Sequence, residues 1–312
     1  MSETPKIFDR AVLRQRRDRA ARGIAAHDFL FREVADRLLE RLGDVRRTFP
    51  LALDLGCHNG VVGQTLGAQP GGTGAVGRLI QSDLSPAMAG LAAATGSPAL
   101  AADEEALPFA PASFDLIVSV LSLHWVNDLP GCLLQVCQAL KPDGLFLAAM
   151  MGGDSLAELR AALLQAEIDV EEGASPRVSP FADVRDMGGL LQRAGFALPV
   201  ADVDSITVTY PSALALMQEL RGMGESNADS SRRRAVTRRE TLLRAAALYA
   251  ERHGTAEGRI PARFEIIYLT GWRPHDSQPQ ALRPGSASAR LAEALGGAEQ
   301  AAGESAQPND KS

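Results

Sequence analysis

The segment Leu51–Gly60 reads Leu-Ala-Leu-Asp-Leu-Gly-Cys-His-Asn-Gly, and it constrains the fold more than any other part of the chain. Its apolar first half is typical of a short parallel strand that is covered on both faces. Gly56 and Gly60 then allow a sharp turn and the close approach of a ligand. Because Val61–Leu66 has the apolar spacing of a short helix, the segment predicts a nucleotide-type site at the carboxyl end of a sheet strand.

Acidic residues follow the next two predicted strands. Arg78–Asp83 is a second strand that ends in an acid, and Pro98–Asp103 is a third that ends in Asp103 and Glu104. A carboxylate in the first of these places accepts hydrogen bonds from a ribose diol in nucleotide-binding folds. The series of acids therefore predicts an adenosine ligand, with its ribose near Asp83 and its adenine amine near Asp103.

Two further segments, Phe114–Leu121 and Leu140–Ala148, complete a pattern of strands alternating with helices, which is typical of an α/β fold. Between residues 48 and 150 the only basic residues are Arg78 and Lys141, against eight acids. Such a segment repels a polyphosphate but not a sulfonium cation. The glycine turn also lacks the lysine of a P-loop and the Gly-x-Gly-x-x-Gly spacing that holds a pyrophosphate. These features favour S-adenosylmethionine over ATP or NAD.

Several motifs carry a resemblance to a known family. They are Ile7–Arg10, Phe49–Cys57, Ser122–Pro130, Leu140–Gly144, Gly152–Leu156, Ser179–Phe181, Arg193–Phe196 and Gly222–Asn227. Together they resemble the class I S-adenosylmethionine-dependent methyltransferases, including the malonyl carrier-protein methyltransferases of the biotin pathway. The sequence is most similar to the family of the mitochondrial NADH:ubiquinone oxidoreductase complex assembly factor 5.

The resemblance implies a seven-stranded Rossmann-like methyltransferase sheet with helices on both faces and an antiparallel last strand. Apolar residues at core-facing spacing, from Phe29 to Leu42, predict a helical N-terminal segment at residues 1–47. A methyltransferase-like domain at 48–273 follows, with helices that cover the substrate at about 154–260. From residue 274 to 312 the sequence is dominated by Ala, Gly, Ser, Pro and Gln, and we predict a disordered tail.

The same resemblance identifies residues that are expected to bind S-adenosylmethionine. They are Asp54, Gly56, Cys57, His58, Gly60, Asp83, Leu84, Ala102, Asp103, Glu104 and Val120. The family pattern has Gly-x-Gly-x-Gly at the turn, whereas this chain has His58 in the middle position. Two interpretations remain open. Either His58 is a turn residue that points to solvent, or it narrows the site and donates a hydrogen bond to the carboxylate of the ligand.

Three residues are candidates for contact with the methyl acceptor. His124 and Trp125 follow the fourth predicted strand, where His124 would act as a base or orient the acceptor and Trp125 would form a wall of the pocket. Glu225 belongs to the motif Gly222–Asn227, whose glycines would let a lid move. Ordinary structural roles remain open for each of them: a histidine bonded to the backbone, a core tryptophan and the end of a helix.

Three functions are compatible with these residues. The first is methyl transfer to a protein or a small molecule. The second, which the resemblance implies, is hydroxylation of an arginine in a subunit of a bacterial NADH:quinone oxidoreductase. The third is assembly of that complex without chemistry, and a carrier protein is the other candidate partner. No His-x-Asp pair of an iron-dependent oxygenase occurs in the sequence, and we predict no metal site.

Charge and composition limit the partners and the location. A net charge of -6 argues against a nucleic-acid binder, and no apolar run approaches the length of a membrane span. Arginines near the N-terminus are predicted to form a solvated helix face; they are Arg14, Arg16, Arg17, Arg19 and Arg22. Because acids interrupt this positive charge, we expect no cleavable targeting segment and a location in the bacterial cytoplasm. The cysteines are then expected to be reduced thiols; they are Cys57, Cys132 and Cys137.

Overall fold

Buried side chains alternate along the strands and divide most of the interior into two large hydrophobic cores, one on each face of the sheet. In the strand Phe49–Leu55, Ala52 packs into one core and Leu53 into the other. The neighbouring residues Leu116 and Ile117 are divided in the same way. Because successive side chains of a strand point to opposite faces, the sheet is covered on both faces.

The computed structural model of the chain describes residues 6–68, 76–279 and 296. Within them the strands are β1 (Phe49–Leu55), β2 (Val76–Asp83), β3 (Ala99–Ala101), β4 (Phe114–Val120), β5 (Leu140–Met151), β6 (Ala197–Tyr210) and β7 (Ile260–Trp272). The helices are α1 (Arg10–Ala20), α2 (Phe29–Gly43), α3 (Val61–Ala68), α4 (Pro86–Ala93), α5 (Leu129–Ala139), α6 (Ala157–Glu171), α7 (Val184–Arg193), α8 (Ala213–Met223) and α9 (Arg239–His253). Short 3₁₀ helices lie at Ile24–Ala26 and Leu123–Trp125.

The strands form one seven-stranded sheet in the order β3-β2-β1-β4-β5-β7-β6. β1 pairs in parallel with both β2 and β4, so the strand order reverses at β1. β7 pairs antiparallel with β5 and with β6. The predicted Rossmann-like sheet with an antiparallel last strand is thus confirmed. In open α/β sheets, ligands bind beyond the carboxyl ends of the strands at this point of reversal.

The helices divide between the two faces of the sheet. Buried residues of α2, α6, α8 and α9 contribute to one core, whereas α5 and α7 contribute to the other. α1 differs from these helices because it packs on α4 and α8. Its first turn is capped by Asp9, whose side chain accepts a hydrogen bond from the amide of Val12. This helix brings basic residues to the ends of β2 and β3, where the acids lie.

The chain divides into two compact units, residues 1–275 and residues 276–312. The first unit contains the sheet and all the helices named above. The predicted disordered tail at 274–312 lies largely outside the described residues. Across the ranges 6–68 and 76–279, no helix is long and apolar enough to cross a bilayer.

Candidate active site

The glycine turn after β1 is held by backbone hydrogen bonds to the end of β2. The amides of Gly56 and Cys57 donate to the carbonyl oxygen of Ser82 at 2.8 and 2.9 Å. Gly56 and Gly60 have φ angles of 76° and 80°, a region that residues with a Cβ rarely adopt. A Cβ on Gly60 would lie 3.0 Å from the Cα of Ala92, so close packing against α4 also requires glycine there.

His58 has a left-handed backbone as well, with a φ of 49°, and its ring is buried. Its Nε2 donates to the carbonyl oxygens of Val120 and Leu121 at 3.1 and 3.2 Å, and the ring packs on Phe31 of α2. Burial, and then the charge of Arg17, lower the pKa of His58, so the imidazole is neutral at neutral pH. The interpretation that His58 points to solvent is therefore wrong. Its Nε2 is committed to the end of β4 rather than to a ligand carboxylate.

The Asp54 carboxyl group lies near the end of β1 and is fully buried. Neither of its oxygens has a hydrogen-bond partner among the described residues. Burial, and then the charge of Asp83, raise the pKa of Asp54 well above its ordinary value. Because buried polar atoms are nearly always satisfied in proteins, this carboxyl group fits a cationic donor such as the ammonium of S-adenosylmethionine.

Asp83, the predicted ribose ligand, pairs with an arginine of α1. Nη1 of Arg17 lies 3.3 Å from Oδ2 of Asp83 and 3.5 Å from Oε1 of Glu104. Nη2 of Arg17 donates to the hydroxyl of Ser122 at 3.1 Å, and all four side chains are buried. A Cβ on Gly56 would overlap Ser122, so the serine lies directly against the glycine turn. The carboxylate that was expected to bind the ribose is therefore already paired with Arg17.

A second arginine of α1 holds the acids that follow β3. Arg10 pairs with Glu104 and, at 2.6 Å, with Asp103, so the side chain expected near the adenine amine is held by the protein itself. Burial would raise the pKa of Glu104, but the charges of Arg10 and Arg17 lower it to about 2. Glu104 is therefore ionised at neutral pH.

These contacts correct the prediction of a solvated arginine face on α1. Arg17 is fully buried, because it lies on the same face of the helix as the buried residues Leu13 and Ala20. The spacing of these three residues is a sequence signal that could have revealed the buried arginine. Arg14 and Arg19, on the other faces, are exposed as predicted.

The remaining predicted cofactor residues surround the turn. Cys57 is buried, and the amide of Ala102 donates to the carbonyl oxygen of Asp83 at 2.9 Å. Val120 accepts the hydrogen bond from His58, and Leu84 packs beside the cluster that contains Trp125. The structure thus brings the predicted cofactor residues together, and their binding role stays a prediction. The described cysteines are free and buried; they are Cys57, Cys132 and Cys137.

A cavity of about 170 Å³ lies beneath the cover helices, next to the 3₁₀ helix that follows β4. Most of its lining is apolar. The apolar residues are Trp125, Met151, Leu156, Leu159, Leu163, Val178, Phe181, Met217 and Leu220. The polar residues are Arg177, Ser179, Glu225, Ser226 and Asn227. An apolar pocket with a few polar groups is the usual form of a small-molecule or side-chain site.

Of the three predicted catalytic residues, Trp125 and Glu225 line this cavity, and His124 lies behind them in contact with Glu225. Oε2 of Glu225 accepts a hydrogen bond from the indole of Trp125 at 2.6 Å and lies 3.0 Å from Nε2 of His124. Oε1 of Glu225 is buried and has no partner within the described ranges. Burial would raise the pKa of Glu225, but the hydrogen bond and charge of His124 lower it, so the carboxylate is ionised at neutral pH. The geometry leaves one anionic acceptor oxygen for a ligand, and the catalytic role of the three residues stays a prediction.

Two further residues of the cavity were absent from the predicted site. Phe181 meets the ring of His124 edge-on, with centroids 5.7 Å apart, and its motif Ser179–Phe181 was a signal for it. Arg177 donates to Glu167 at 2.8 and 2.9 Å and lies 3.8 Å from Glu171. Nothing in the sequence marks Arg177, because its partners lie on a helix that precedes it by several residues.

Comparison with known proteins identifies the domain. Residues 53–148 match the family described as a methyltransferase domain. A phosphoethanolamine N-methyltransferase 2 from Haemonchus contortus, solved in complex with S-adenosyl-L-methionine, has a TM-score of 0.51 and 17% identity over 84% of this chain and 60% of that chain. This similarity concerns the fold alone. With the family match, it confirms the predicted S-adenosylmethionine-dependent methyltransferase domain.

Relatives of two kinds cover nearly the whole chain. The mitochondrial arginine-hydroxylase NDUFAF5 of Danio rerio is 43% identical over 92% of this chain and 89% of the relative. The protein of the same name in Homo sapiens is 45% identical over 93% of this chain and 84% of the relative. A malonyl-[acyl-carrier protein] O-methyltransferase of a Methylovorus species is 34% identical over 88% of this chain and 92% of the relative.

Proposed function

Because the chain belongs to the family of the mitochondrial arginine-hydroxylase NDUFAF5, we propose that it modifies an arginine side chain of a partner protein. The acceptor side chain enters the cavity that Trp125, Phe181 and Glu225 line. The observation that carries this proposal is the free, buried oxygen of Glu225.

A guanidinium complements this cavity in charge. The ionised Glu225 would accept a charge-assisted hydrogen bond at Oε1, and its Oε2 is already held by Trp125 and His124. The aromatic rings of Trp125 and Phe181 line the same space, and aromatic faces attract cations. The site therefore favours a planar cation with several donors over a neutral acceptor.

A carboxylate acceptor is disfavoured in the same cavity. Arg177 is the cationic residue of the lining, but its charge is already balanced by Glu167 and Glu171. Glu225 would repel a second carboxylate across a space of low dielectric. This argues against the acidic substrate that the name of the malonyl-[acyl-carrier protein] O-methyltransferase relatives indicates.

A groove beside the cavity suits the polypeptide that carries the acceptor. It has a volume of about 610 Å³ and shares Arg177, Val178 and Phe181 with the cavity. Its rim includes the exposed residues Leu164 and Pro180. A partner segment lying in this groove would direct one side chain past Phe181 towards Glu225.

The cofactor would lie at the glycine turn. Asp54 would hold its ammonium group and Asp83 its ribose hydroxyls, once Asp83 is free of Arg17. When bound, S-adenosylmethionine supplies a methyl group carried on a sulfonium. The residues of the chain then position the acceptor and exclude water, while Glu225, which His124 holds in place, takes up the proton that the acceptor nitrogen loses.

Methyl transfer to arginine is the first candidate reaction, because residues 53–148 form a methyltransferase domain. Hydroxylation of arginine, with dioxygen as the oxidant and an external two-electron reductant, is the second candidate, and the name of the closely similar relatives favours it. The partner we propose is a subunit of a bacterial NADH:quinone oxidoreductase, which the chain would meet in the cytoplasm.

Fluorescence of Trp125 offers a direct test of the cation site. In a Trp272→Phe background, Trp125 is the only tryptophan of the chain. We expect butylguanidinium to change its emission and butyrate to have no effect. Glu225→Gln should weaken guanidinium binding at least about tenfold through the lost ionic hydrogen bond. Glu219→Gln is the matched control, because Glu219 of α8 pairs with His27 outside the cavity. Equal binding by both variants, or a preference for butyrate, would contradict the proposal.

A further inference from the structure

Arg17 is the least expected residue at the cofactor site. Its guanidinium is fully buried, on the face of α1 that also carries Leu13 and Ala20. It reaches Asp83 and Glu104, the acids that follow β2 and β3. Because an arginine is rarely buried completely unless it is paired, these acids fix the position of α1 over the ends of the strands.

The oxygens of Asp83 have no capacity left for a ribose in this arrangement. Oδ1 accepts a hydrogen bond from the amide of Ser85 at 2.7 Å, and Oδ2 accepts one from the amide of His58 at 3.0 Å. Nη1 of Arg17 lies within 3.5 Å of both oxygens. Its Nη2 holds Ser122 against the glycine turn. The guanidinium therefore stands where the two hydroxyls of a ribose would donate.

We propose that α1 is a latch on the nucleoside site, and that S-adenosylmethionine binds only when Arg17 leaves Asp83. This inference rests on the cofactor dependence of the proposed function. In the closed state, the guanidinium supplies the positive charge that the buried carboxylates require. In the open state, the hydroxyls and the cationic groups of the ligand replace it.

The ion pairs of Arg17 are long, which lets the latch open at this residue. Its distances to Asp83 and Glu104 are 3.3 and 3.5 Å, longer than the roughly 2.7–2.9 Å of a strong charge-assisted hydrogen bond. After Arg17 leaves, Glu104 keeps the ion pair with Arg10 and the hydrogen bond from Ser122 at 2.7 Å. The first turn of α1 thus stays anchored by Arg10. The second half of the helix is the part that moves, and its movement also breaks the 2.5 Å hydrogen bond from the hydroxyl of Ser85 to Asp18.

The latch also links the cofactor site to the acceptor cavity. Arg16, the neighbour of Arg17, donates to the carbonyl oxygens of Ser226, at 2.8 Å, and Asn227. Both of these residues line the cavity. Movement of the second half of α1 therefore releases a wall of the cavity, so entry of the cofactor loosens the site that receives the acceptor.

Hydrogen–deuterium exchange of the full wild-type chain, with and without S-adenosylmethionine, tests the latch. We expect the ligand to slow exchange at the glycine turn and to speed it in the second half of α1 and at 226–228. Protection at the turn with slower or unchanged exchange in α1 would overturn the latch, and the proposed function would stand. No change at the turn would contradict cofactor binding, and with it both the latch and the proposed function.

Calorimetry of an Arg17→Gln variant gives an independent readout. A closed latch reduces the apparent affinity by the fraction of molecules that are open, so we expect the Kd for S-adenosylmethionine to fall about tenfold when Arg17 is removed. Arg14→Gln is the matched control, because Arg14 lies on the same helix and is exposed. Its Kd should equal that of the wild-type chain. Weaker binding by Arg17→Gln would overturn the latch, because Arg17 would then be part of the ligand site; the exchange experiment needs no variant and decides the matter if Arg17→Gln does not fold.

Discussion

The indole nitrogen of Trp125 donates a hydrogen bond to Oε2 of Glu225 at 2.6 Å, although the two residues lie 100 positions apart. The bond joins the 3₁₀ helix after β4 to the loop after α8. It fixes the orientation of the carboxylate, so that Oε1 is left as the free acceptor. The cation site of the cavity therefore depends on contacts between segments that only the tertiary fold brings together.

Trp125→Phe should destabilise the chain by removing this donor from a buried, ionised carboxylate. We expect the free energy of unfolding to fall by roughly 1–3 kcal/mol beyond the effect of lost volume. Urea denaturation measures this change in the free energy of unfolding. Trp272→Phe is the control, because Trp272 packs against Arg47 and is only half-buried. A larger loss in the control than in Trp125→Phe would contradict the role of the bond.

Protonation of Glu104 should lower the free energy of unfolding in acid. Burial opposes its ionisation, but Arg10 and Arg17 lower its pKa from 4.5 to about 2. A carboxylate with a lowered folded pKa stabilises the fold above its ordinary pKa, and the stabilisation is lost as the pH falls from 4.5 towards 2. The loss amounts to about 3 kcal/mol. Denaturant unfolding as a function of pH should show it in the wild-type chain, whereas Glu104→Gln should lack this part of the pH dependence; parallel curves would refute the assignment.

Asp54→Asn should stabilise the chain at neutral pH while weakening cofactor binding. Burial, and then the charge of Asp83, raise the pKa of Asp54 in the folded state. A carboxyl group with a raised folded-state pKa stabilises the fold at a pH below its ordinary pKa. This stabilisation is lost as the pH rises through the raised pKa. An uncharged asparagine avoids that loss, so its melting temperature should exceed that of the wild-type chain at neutral pH. Calorimetry should show weaker binding of S-adenosylmethionine, and tighter binding would exclude Asp54 as the ammonium partner.

His58→Gly would restore the glycine of the family pattern and still lower stability. The substitution relieves a backbone with a φ of 49°, which is worth roughly 1–2 kcal/mol. It also deletes a buried ring that packs on Phe31 at a centroid distance of 4.2 Å and bonds to the end of β4. Emptying a core aromatic position costs roughly 3–5 kcal/mol, so the loss should exceed the gain. A raised melting temperature would show that the strain dominates.

The sheet was predictable because local patterns determine it. The apolar run at Leu51–Leu55, the glycines behind it and the acids after later strands mark the point at which the strand order reverses. The start of β6 was less predictable, because the alternation of apolar residues predicts a strand only from Val203. Val200 is exposed and still belongs to the strand because it pairs with Thr270 of β7. Long-range pairing of this kind leaves a weak pattern in the sequence.

The site was predicted in part. His124, Trp125 and Glu225 were identified one by one, but only the fold shows that they share hydrogen bonds. The position of Arg17 was missed because a charged residue is normally read as exposed, and its two acid partners lie far along the chain. The direction of the His58 ring could not be predicted either, because it depends on packing against Phe31 of α2.

Peptide mass spectrometry of the NADH:quinone oxidoreductase tests the assignment of an arginine acceptor most directly. The complex would be isolated from cells that make the wild-type, Glu225→Gln or Glu219→Gln chain. We predict that one arginine gains a methyl group or an oxygen atom with the wild-type and Glu219→Gln chains and stays unmodified with Glu225→Gln. The kind of gain decides between methyl transfer and hydroxylation. If no arginine of the complex differs between the wild-type and Glu225→Gln cells, the proposed function is contradicted.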